Sequence, residues 1–358
     1  MSQDLNVTRV EPAAAIAGGE VVVHLAGVTA EMLPQLRVRF SGAEAHLVSL
    51  NTRRALALVP DVSVDGAVPV TAVSNSAPRG DGAPVRPEMH ANRPQDTGAP
   101  ALTMGKQLAR SLHPVANPAF DPNDGALFVT RSGSRGEHVP TSIFRIGAEG
   151  VEEFSGDITN PTAIAFDRTR RMFVTSRYDG TVYRVSSDRQ MVAFASNLGI
   201  ATGLAFNGEG EMFVGDRAGT IFRVNEIGEA KRWAEHEPSV SAYHLAMGPD
   251  NNLYVTGPTV SSFDAITRFD EVGKASVFFK GLGRPQGLAF DREGNLYVAA
   301  ALRGRRGVVK ISPDGREAEL AVAAMNVVGL ALGPRGEMVV ATNEAVYSLP
   351  LGIKGLFV

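Results

Sequence analysis

The sequence predicts an all-β protein in which a small β-sandwich precedes a six-bladed β-propeller. One observation is a phrase that recurs six times, with equivalent apolar residues spaced by 46, 40, 41, 43 and 42 positions: Phe120, Phe166, Phe206, Met247, Phe290 and Leu332. A second is that each recurrence holds three or four short strands, as in Gly203–Phe206, Met212–Gly215 and Thr220–Val224. Short strands at such a period are typical of propeller blades.

The first 75 residues alternate short apolar strands with turns rich in Gly, Pro and Ala. The predicted strands are Val7–Val10, Glu20–Leu25, Leu36–Phe40, His46–Leu50, Ala55–Val59 and Val68–Val73. This spacing is typical of an immunoglobulin-like sandwich. Phrases such as Ala17–Val23 and Gly66–Val73 resemble the IPT/TIG family, over about 70 residues. The resemblance implies a spacer or interaction module at 1–75, with a possible protein partner.

Residues 76–103 form a predicted linker, because they are rich in Pro, Gly, Arg and Asp and lack apolar periodicity. They contain Arg79-Gly80-Asp81, which matches a cell-adhesion motif and is also expected by chance in a polar linker. The propeller then occupies 104–358.

Bulk composition limits the choice of partner and compartment. A formal net charge of −3 gives no reason to expect nucleic acid. No apolar run approaches the roughly 20 residues that span a bilayer, so no membrane insertion is expected. The chain has no cysteine, which excludes disulfides and thiolate metal ligands. The first residues lack the pattern of a signal peptide, so a cytoplasmic location is expected unless a leader has been removed.

One segment of the propeller has no blade before it. Aligning the repeats backward from Phe120 puts Lys106–Leu112 at the position of an outermost strand. We predict that it completes the sixth blade, whose other strands are Gly329–Leu332, Glu337–Ala341 and Ala345–Leu349. Closure of this kind removes unpaired edges. The competing prediction gives that role to Gly355–Val358.

Candidate ligand-binding residues are those predicted at the mouth of the channel, where inner strands begin and the loops between second and third strands meet. They are Asn117, Arg131, Thr162, Arg177, Thr202, Asp216, Arg217, Tyr243, His244, Gln286, Arg303 and Asn343, with Thr256 and the loop Ser261–Asp264 beside them. Several guanidinium groups suit a carboxylate, a phosphate or sugar hydroxyls.

Each assignment has a structural alternative. Arg177 and Arg217 occupy the same place in consecutive blades, so they could simply bridge neighbouring loops. Tyr243 and His244 replace small residues found at the equivalent positions and are the best single clue to a site. A hydrogen-bonded structural histidine is the alternative for His244.

The repeats resemble NHL-repeat propellers and the family of gluconolactonase, senescence marker protein and luciferin-regenerating enzyme. The resemblance rests on phrases such as Gly203–Phe206, Gly287–Val298 and Ile311–Gly315 and covers about 250 residues. It implies a hydrolase with calcium or zinc at the channel mouth, held by a Glu and by an Asn and Asp before the glycine of the inner strand. Those preceding positions here are Ala116, Thr162, Thr202, Tyr243, Gln286 and Val328, none of them a carboxylate.

No known nucleophile, P-loop or dinucleotide motif occurs in the chain. The leading prediction is therefore a non-catalytic propeller that binds a small polar or anionic molecule, or a peptide, without a cofactor or metal. The first alternative is a metal-dependent lactone or ester hydrolase, in which calcium, zinc or His244 would activate water. The second is a protein-interaction scaffold.

Overall fold

The computed structural model describes residues 5–62, 64, 66–74, 100–261 and 263–356. Within these residues almost all regular structure is β-strand, with one 3-10 helix at Ala30–Gln35. The Arg79-Gly80-Asp81 motif and most of the predicted linker lie outside the described residues. No helix in the described part is long and apolar enough to cross a membrane.

The N-terminal module consists of two sheets that share one hydrophobic core. One sheet has the order β1-β3-β7-β6 and the other contains β2-β9-β8-β4-β5. Alternate residues of these strands, including Val21, Val23, Val38, Phe40 and Val68, are fully or almost fully buried between the sheets. The strands are β1 (Asn6–Glu11), β2 (Ala14–Ala15), β3 (Glu20–Ala26), β4 (Leu36–Phe40), β5 (Ala43–Glu44), β6 (His46–Leu50), β7 (Arg54–Leu58), β8 (Gly66–Ser74) and β9 (Ala101–Met104).

The last strand of this module corrects the predicted linker boundary. The sequence predicts a linker up to residue 103. Residues 101–103 instead belong to β9, which pairs with β8 in the register Val68↔Leu102. Leu102 and Met104 are almost fully buried in the module core. Two apolar side chains at alternating positions are enough to make this short segment a strand once a sheet edge is available.

The remaining strands form six consecutive groups of four antiparallel strands, which we call blades 1 to 6. Blades 1 to 5 take their strands in chain order, and blade 6 takes its fourth strand from the start of the region. The strands are β10 (Lys106–Ala109), β11 (Ala119–Phe120), β12 (Leu127–Thr130), β13 (Ile143–Gly147), β14 (Gly150–Ser155), β15 (Pro161–Phe166), β16 (Met172–Ser176), β17 (Thr181–Val185), β18 (Met191–Ala195), β19 (Ala201–Phe206), β20 (Met212–Asp216), β21 (Thr220–Val224), β22 (Ala230–Glu235), β23 (His244–Met247), β24 (Leu253–Thr256), β25 (Asp264–Phe269), β26 (Ala275–Gly283), β27 (Leu288–Phe290), β28 (Leu296–Leu302), β29 (Arg305–Ile311), β30 (Ala318–Ala323), β31 (Val327–Leu332), β32 (Met338–Thr342) and β33 (Val346–Leu349).

The sheet of blade 6 joins the two ends of the repeat region. Strand β10 pairs antiparallel with β33, in the register Lys106↔Ser348 and Gln107↔Tyr347. Leu112 follows this strand, is 5% exposed, and its N–H donates to the carbonyl of Glu344. The competing C-terminal segment lies elsewhere, because Gly355 bridges Asp291 and the N–H of Leu356 donates to the carbonyl of Phe290. The outer edge of blade 6 is therefore covered by the N-terminal strand.

The N-terminal module is attached to blade 5 edge to edge. Strand β2 pairs in parallel with both β9 and β30, in the registers Ala15↔Met104 and Ala15↔Ala323. Arg305 of blade 5 adds two hydrogen bonds, from Nη2 to the carbonyl oxygens of Glu11 at 2.7 Å and Glu20 at 3.2 Å. The module sheet is thus continuous with the outer strand of a blade.

Candidate functional site

The inner strands of all six blades border one central cavity. It has a volume of about 180 Å³ and is lined by residues from β11, β15, β19, β23, β27 and β31 and from the chain just before β11. The pairings Leu204↔Val214, Leu245↔Val255 and Leu330↔Val340 show that these strands share one register relative to their second strands. In three of these strands the residue paired in this way is Leu204, Leu245 or Leu330. The residues just before this leucine position in the six inner strands form one layer: Asn117, Ala163, Gly203, His244, Gly287 and Gly329.

Only two residues of that layer, Asn117 and His244, have large polar side chains. Asn117 is used to hold neighbouring strands together, since its Nδ2 donates to the carbonyl of Leu288 and its Oδ1 accepts from the N–H of Leu330, both at 3.0 Å. A Cβ at Gly287 would lie 1.9 Å from Oδ1 of Asn117, so this position has to be glycine. Asn117 lines the cavity, and each of its two polar atoms already makes one hydrogen bond.

His244 is buried at the channel wall, with 4% of its surface exposed. Burial lowers the pKa of its imidazole to about 4, so the ring is neutral near pH 7. Its Nε2 has no hydrogen-bond partner within the described residues. A purely structural histidine would be expected to have hydrogen-bond partners. Nε2 of His244 has no such partner in the described part of the chain.

Three of the predicted site residues take part in ties between neighbouring blades. The hydroxyl of a threonine at the end of a second strand donates to a backbone carbonyl of the next blade: Thr130 to Thr162 at 2.7 Å, Thr175 to Thr202 at 3.3 Å, and Thr256 to Gln286 at 2.5 Å. Thr202 also accepts, at its own Oγ1, the N–H of Tyr243 at 3.0 Å. The backbones of Thr162, Thr202 and Gln286 therefore serve the contact between blades.

The structure places the Tyr243 side chain in the core between blades 3 and 4, and not in the channel. It is 1% exposed, packs with Leu245 and Phe213, and its hydroxyl donates to the carbonyl of Glu237. Burial, followed by the charges of Asp216 and Glu237, raises the pKa of this phenol. Residues 243, 245 and 247 alternate along one strand and so point to the same side. A role for Tyr243 in ligand binding stays a prediction, and its hydroxyl already donates to the backbone.

Asp216 is also occupied by the backbone of its own blade. Its Oδ1 accepts hydrogen bonds from the N–H groups of Ile200 and Ala218, both at 2.9 Å. The carboxylate therefore fixes the turn that leads into the inner strand β19. The next residue in this turn, Arg217, carries a positive charge.

Three arginine side chains from consecutive blades lie close enough for their charges to interact. Arg177 and Arg217 are half-buried at equivalent turns of blades 2 and 3, and Arg135 is exposed on a longer loop of blade 1. Burial lowers the pKa of Arg177, and the positive charges of Arg217 and Arg135 lower it further. Within the described ranges none of the three forms an ion pair. We refer to Arg135, Arg177 and Arg217 as the arginine cluster.

Blade 2 holds the loop that carries Arg135. Asn160, which is fully buried, donates from Nδ2 to the carbonyls of Gly133 at 3.1 Å and Ser134 at 2.9 Å, and its Oδ1 accepts the N–H of Gly136 at 2.7 Å. Arg177 donates from Nη2 to the same Gly133 carbonyl at 2.9 Å. Sequence reasoning missed both Asn160 and Arg135. The signal was the length of this loop, since 12 residues separate β12 from β13 but four separate β16 from β17.

The other predicted site residues have contacts of their own. Arg303 is exposed and lines a groove between blade 5 and the N-terminal module, together with Arg9 and Lys310. Asn343 is exposed in the corresponding turn of blade 6, and its N–H donates to the carbonyl of Asn326. Arg131 follows β12, where it forms a bridge with Pro114. In the remaining loop, the carboxylate of Asp264 accepts hydrogen bonds from the backbone and hydroxyl of Thr259.

The donor set for a divalent metal is not present at the channel mouth. No group of three or more His, Asp or Glu side chains within the described residues could hold a metal ion. The residues before the inner-strand glycine positions offer a buried tyrosine, hydroxyls that tie blades together, and an amide. Calcium requires six to eight oxygen ligands, several of them anionic. These residues do not fit the metal site that the family resemblance implies.

No known protein-family model matches the chain, and no curated protein sequence matches it. Among solved structures, an auxiliary nutrient binding protein from Bacteroides thetaiotaomicron is similar over 97% of this chain and 97% of its own, with a TM-score of 0.54 and 12% identity. A protein of the same description from Bacteroides ovatus covers 97% and 98%, with a TM-score of 0.52 and 14% identity. A gluconolactonase from Xanthomonas campestris covers 68% and 88%, with a TM-score of 0.55 and 17% identity.

The likeness is one of fold. It supports a β-propeller fold, and identities this low carry no activity from those proteins to this one. The extent of the match differs between them, because the nutrient binding proteins align with almost the whole chain and the gluconolactonase with 68% of it.

Proposed function

We propose that the protein is a binding propeller, and that its arginine cluster holds a small anion-bearing ligand at the channel mouth. The observation that carries the proposal is the environment of Arg177. Its guanidinium is half-buried, lies within reach of two other positive charges, and has no carboxylate partner among the described residues. Such an arrangement costs free energy in the absence of an anion.

An anionic group would reverse that cost. A carboxylate or phosphate among Arg135, Arg177 and Arg217 would screen their mutual repulsion and accept charge-assisted hydrogen bonds. Guanidinium groups are suited to this role because their planar donors match the geometry of both anions. Arg177 is already fixed by its bond to Gly133, so less side-chain entropy is lost when a ligand binds.

The solved structures that align with almost the whole chain include two named as auxiliary nutrient binding proteins and one named as a putative phosphatase, so the extent of the matches does not separate binding from hydrolysis. A hydrolase of the gluconolactonase type is the weaker candidate, since the residues at the mouth do not fit its metal. A protein partner for the N-terminal module stays a prediction.

Calorimetric titration with citrate and with inorganic phosphate tests the proposal. We expect one of these anions to bind, and we expect Arg177→Gln and Arg217→Gln each to weaken binding by roughly tenfold, as for the loss of one charge-assisted hydrogen bond. Higher ionic strength should weaken binding to the wild-type protein as well. The matched control is Arg184→Gln, an arginine on the exposed side of β17 in the same blade.

Two results would contradict the proposal. One is the absence of binding for a panel that extends to sulfate, succinate and sugar phosphates at low salt. The other is binding that Arg184→Gln weakens as much as Arg177→Gln does, since that would indicate a general attraction to positive charge.

We further propose that the six blades close into one ring and that the N-terminal module is immunoglobulin-like, of the IPT/TIG kind. Ring closure is supported by the β10–β33 pairing, by the bonds of Asn117 to Leu288 and Leu330, and by a single cavity bordered by all six inner strands. The two-sheet core of the module supports the second part.

A further inference from the structure

The cavity inside the channel differs in chemistry from the arginine cluster. None of its lining residues is Asp, Glu, Lys or Arg, and most are aliphatic, such as Ile164, Leu204 and Leu330. Transfer of a charged group into such surroundings is strongly unfavourable unless it is paired. The cavity therefore selects against the anions that the arginine cluster would hold.

The lining has two polar side chains, Asn117 and His244. Each polar atom of Asn117 already makes one hydrogen bond, and its Nδ2 keeps a second N–H. The Nε2 of His244 is buried without a partner among the described residues. An unpaired buried polar atom costs about 1–3 kcal/mol, which a bound group could recover.

The size of the cavity sets the size of an occupant. Its volume is about 180 Å³, and an apolar cavity of about 150 Å³ is known to hold benzene. A six-membered ring or a short branched alkyl chain with one hydroxyl would fill the space, and the imidazole of His244 must turn to bring its buried Nε2 into contact with the occupant.

We propose that this cavity is a second binding site, for a small uncharged molecule about the size of a six-membered ring that forms one hydrogen bond with His244. The occupant lies between the inner strands of the six blades, with its apolar part against the aliphatic residues. The inference goes beyond the proposed anion site and does not depend on it.

Phenol is a suitable probe because it is uncharged near pH 7 and combines a ring with one hydroxyl. We expect titration calorimetry and a thermal shift to show one phenol per chain. In spectra of imidazole nitrogens, the signals of His244 should move on addition of phenol and those of the exposed His46 should not.

Two variants separate the hydrogen bond from the space. His244→Leu replaces the imidazole with an apolar side chain of similar size. Because the hydrogen bond is lost and the space is kept, phenol should bind five- to tenfold more weakly, while benzene binds at least as well as before. Ala163→Leu fills part of the cavity from blade 2 and should reduce binding of both probes. His46→Leu, on the exposed part of β6, is the control and should change neither.

Several outcomes would overturn the proposal. They are phenol binding that neither His244→Leu nor Ala163→Leu reduces, absence of binding at millimolar phenol, and a crystal soak that shows water alone in the cavity. If His244→Leu does not fold, Ala163→Leu and the wild-type imidazole spectra still decide the matter. Loss of anion binding in Arg177→Gln with phenol binding intact would show that the two sites are separate.

Discussion

Arg177 of blade 2 donates a hydrogen bond of 2.9 Å from Nη2 to the carbonyl oxygen of Gly133 in blade 1. The same carbonyl accepts Nδ2 of Asn160 at 3.1 Å, so two side chains of one blade hold the loop of its neighbour. This geometry combines the two interpretations considered for Arg177. The residue bridges neighbouring loops, and its positive charge remains without a carboxylate partner among the described residues.

Asn160→Asp should loosen the loop that carries Arg135. The aspartate keeps an oxygen for the N–H of Gly136 but loses the two N–H donors to Gly133 and Ser134. A buried charge without those donors should lower the free energy of unfolding by about 2–4 kcal/mol. Hydrogen exchange should accelerate in residues 133–137, and anion binding should weaken. Unchanged exchange in this loop would contradict the role given to Asn160.

Tyr243→Phe should affect stability and leave ligand binding unchanged. The variant removes a buried hydroxyl that donates to the carbonyl of Glu237, which should cost about 1–2 kcal/mol in chemical denaturation. Tyr178→Phe, at a side chain that is 53% exposed, is the control. If Tyr243→Phe instead weakened anion binding without a change in stability, Tyr243 would belong to the ligand site.

His244 should make the stability of the native state depend on pH. In the unfolded chain its imidazole takes up a proton below about pH 6.5, whereas in the native protein burial lowers its pKa to about 4. Because the unfolded state binds more protons in this window, stability should fall as the pH drops from 6.5 to 4, by up to about 3 kcal/mol. The pKa of half-buried His236, which desolvation also lowers, acts in the same direction.

Urea denaturation of wild type and His244→Gln between pH 4 and 7 checks this expectation. The variant should show a shallower loss of stability on acidification, and His46→Gln should follow the wild type. Parallel curves for wild type and His244→Gln would show that His244 does not titrate in this way.

Leu112→Ala tests the contribution of the segment that follows β10. Leu112 is 5% exposed and packs in the cluster shared by blades 1 and 6, so its truncation should cost about 2–5 kcal/mol. Val151→Ala, at a position 46% exposed on β14, should cost little. Circular dichroism and urea denaturation should show the loss as a shift of the whole unfolding transition, because Leu112 packs against side chains of both the first and the sixth blade. A loss below 1 kcal/mol would indicate that the segment is not needed.

Gly19→Ala should weaken the attachment of the N-terminal module to blade 5. A Cβ at this position would lie 2.3 Å from the carbonyl oxygen of Ala323, a backbone atom that cannot move without its strand. Gly208→Ala is a matched control, since a Cβ there meets no atom within 4 Å. Hydrogen exchange of the backbone amide of Ile16, which donates to the carbonyl of Ala323, should be faster in the Gly19→Ala protein than in the control. Equal exchange in both proteins would contradict this account.

Most strands could be predicted because their apolar residues follow the repeat and the pleat. The pairings Leu36–Phe40 with Gly66–Ser74 and Met212–Asp216 with Thr220–Val224 join segments that the sequence predicted as strands. Strand Ala101–Met104 escaped prediction because it is short, follows a polar stretch, and depends on a sheet edge made by distant residues.

The candidate site was less predictable, for three separate reasons. Tyr243 shares its side of the strand with Leu245 and packs in the same core cluster. The two-residue spacing predicts this, but the unusual residue type at position 243 favoured a binding role. The repeat predicts Arg303 at the channel mouth. In the structure it lines a groove between blade 5 and the N-terminal module. The repeat carries no information on where that module lies. Arg135 and Asn160 come together only through the folded loop of blade 1.

The pairing of Lys106–Ala109 with Val346–Leu349 has a consequence for how the chain folds during synthesis. Contacts between residues this far apart form late, since the cost of closing the loop comes before any gain. The strand leaves the ribosome before any blade does, and its partner leaves after blades 1 to 5. Blades 1 to 5 can therefore form while the sixth sheet still lacks its inner strands, and the edge of Lys106–Ala109 is exposed to other chains throughout that time.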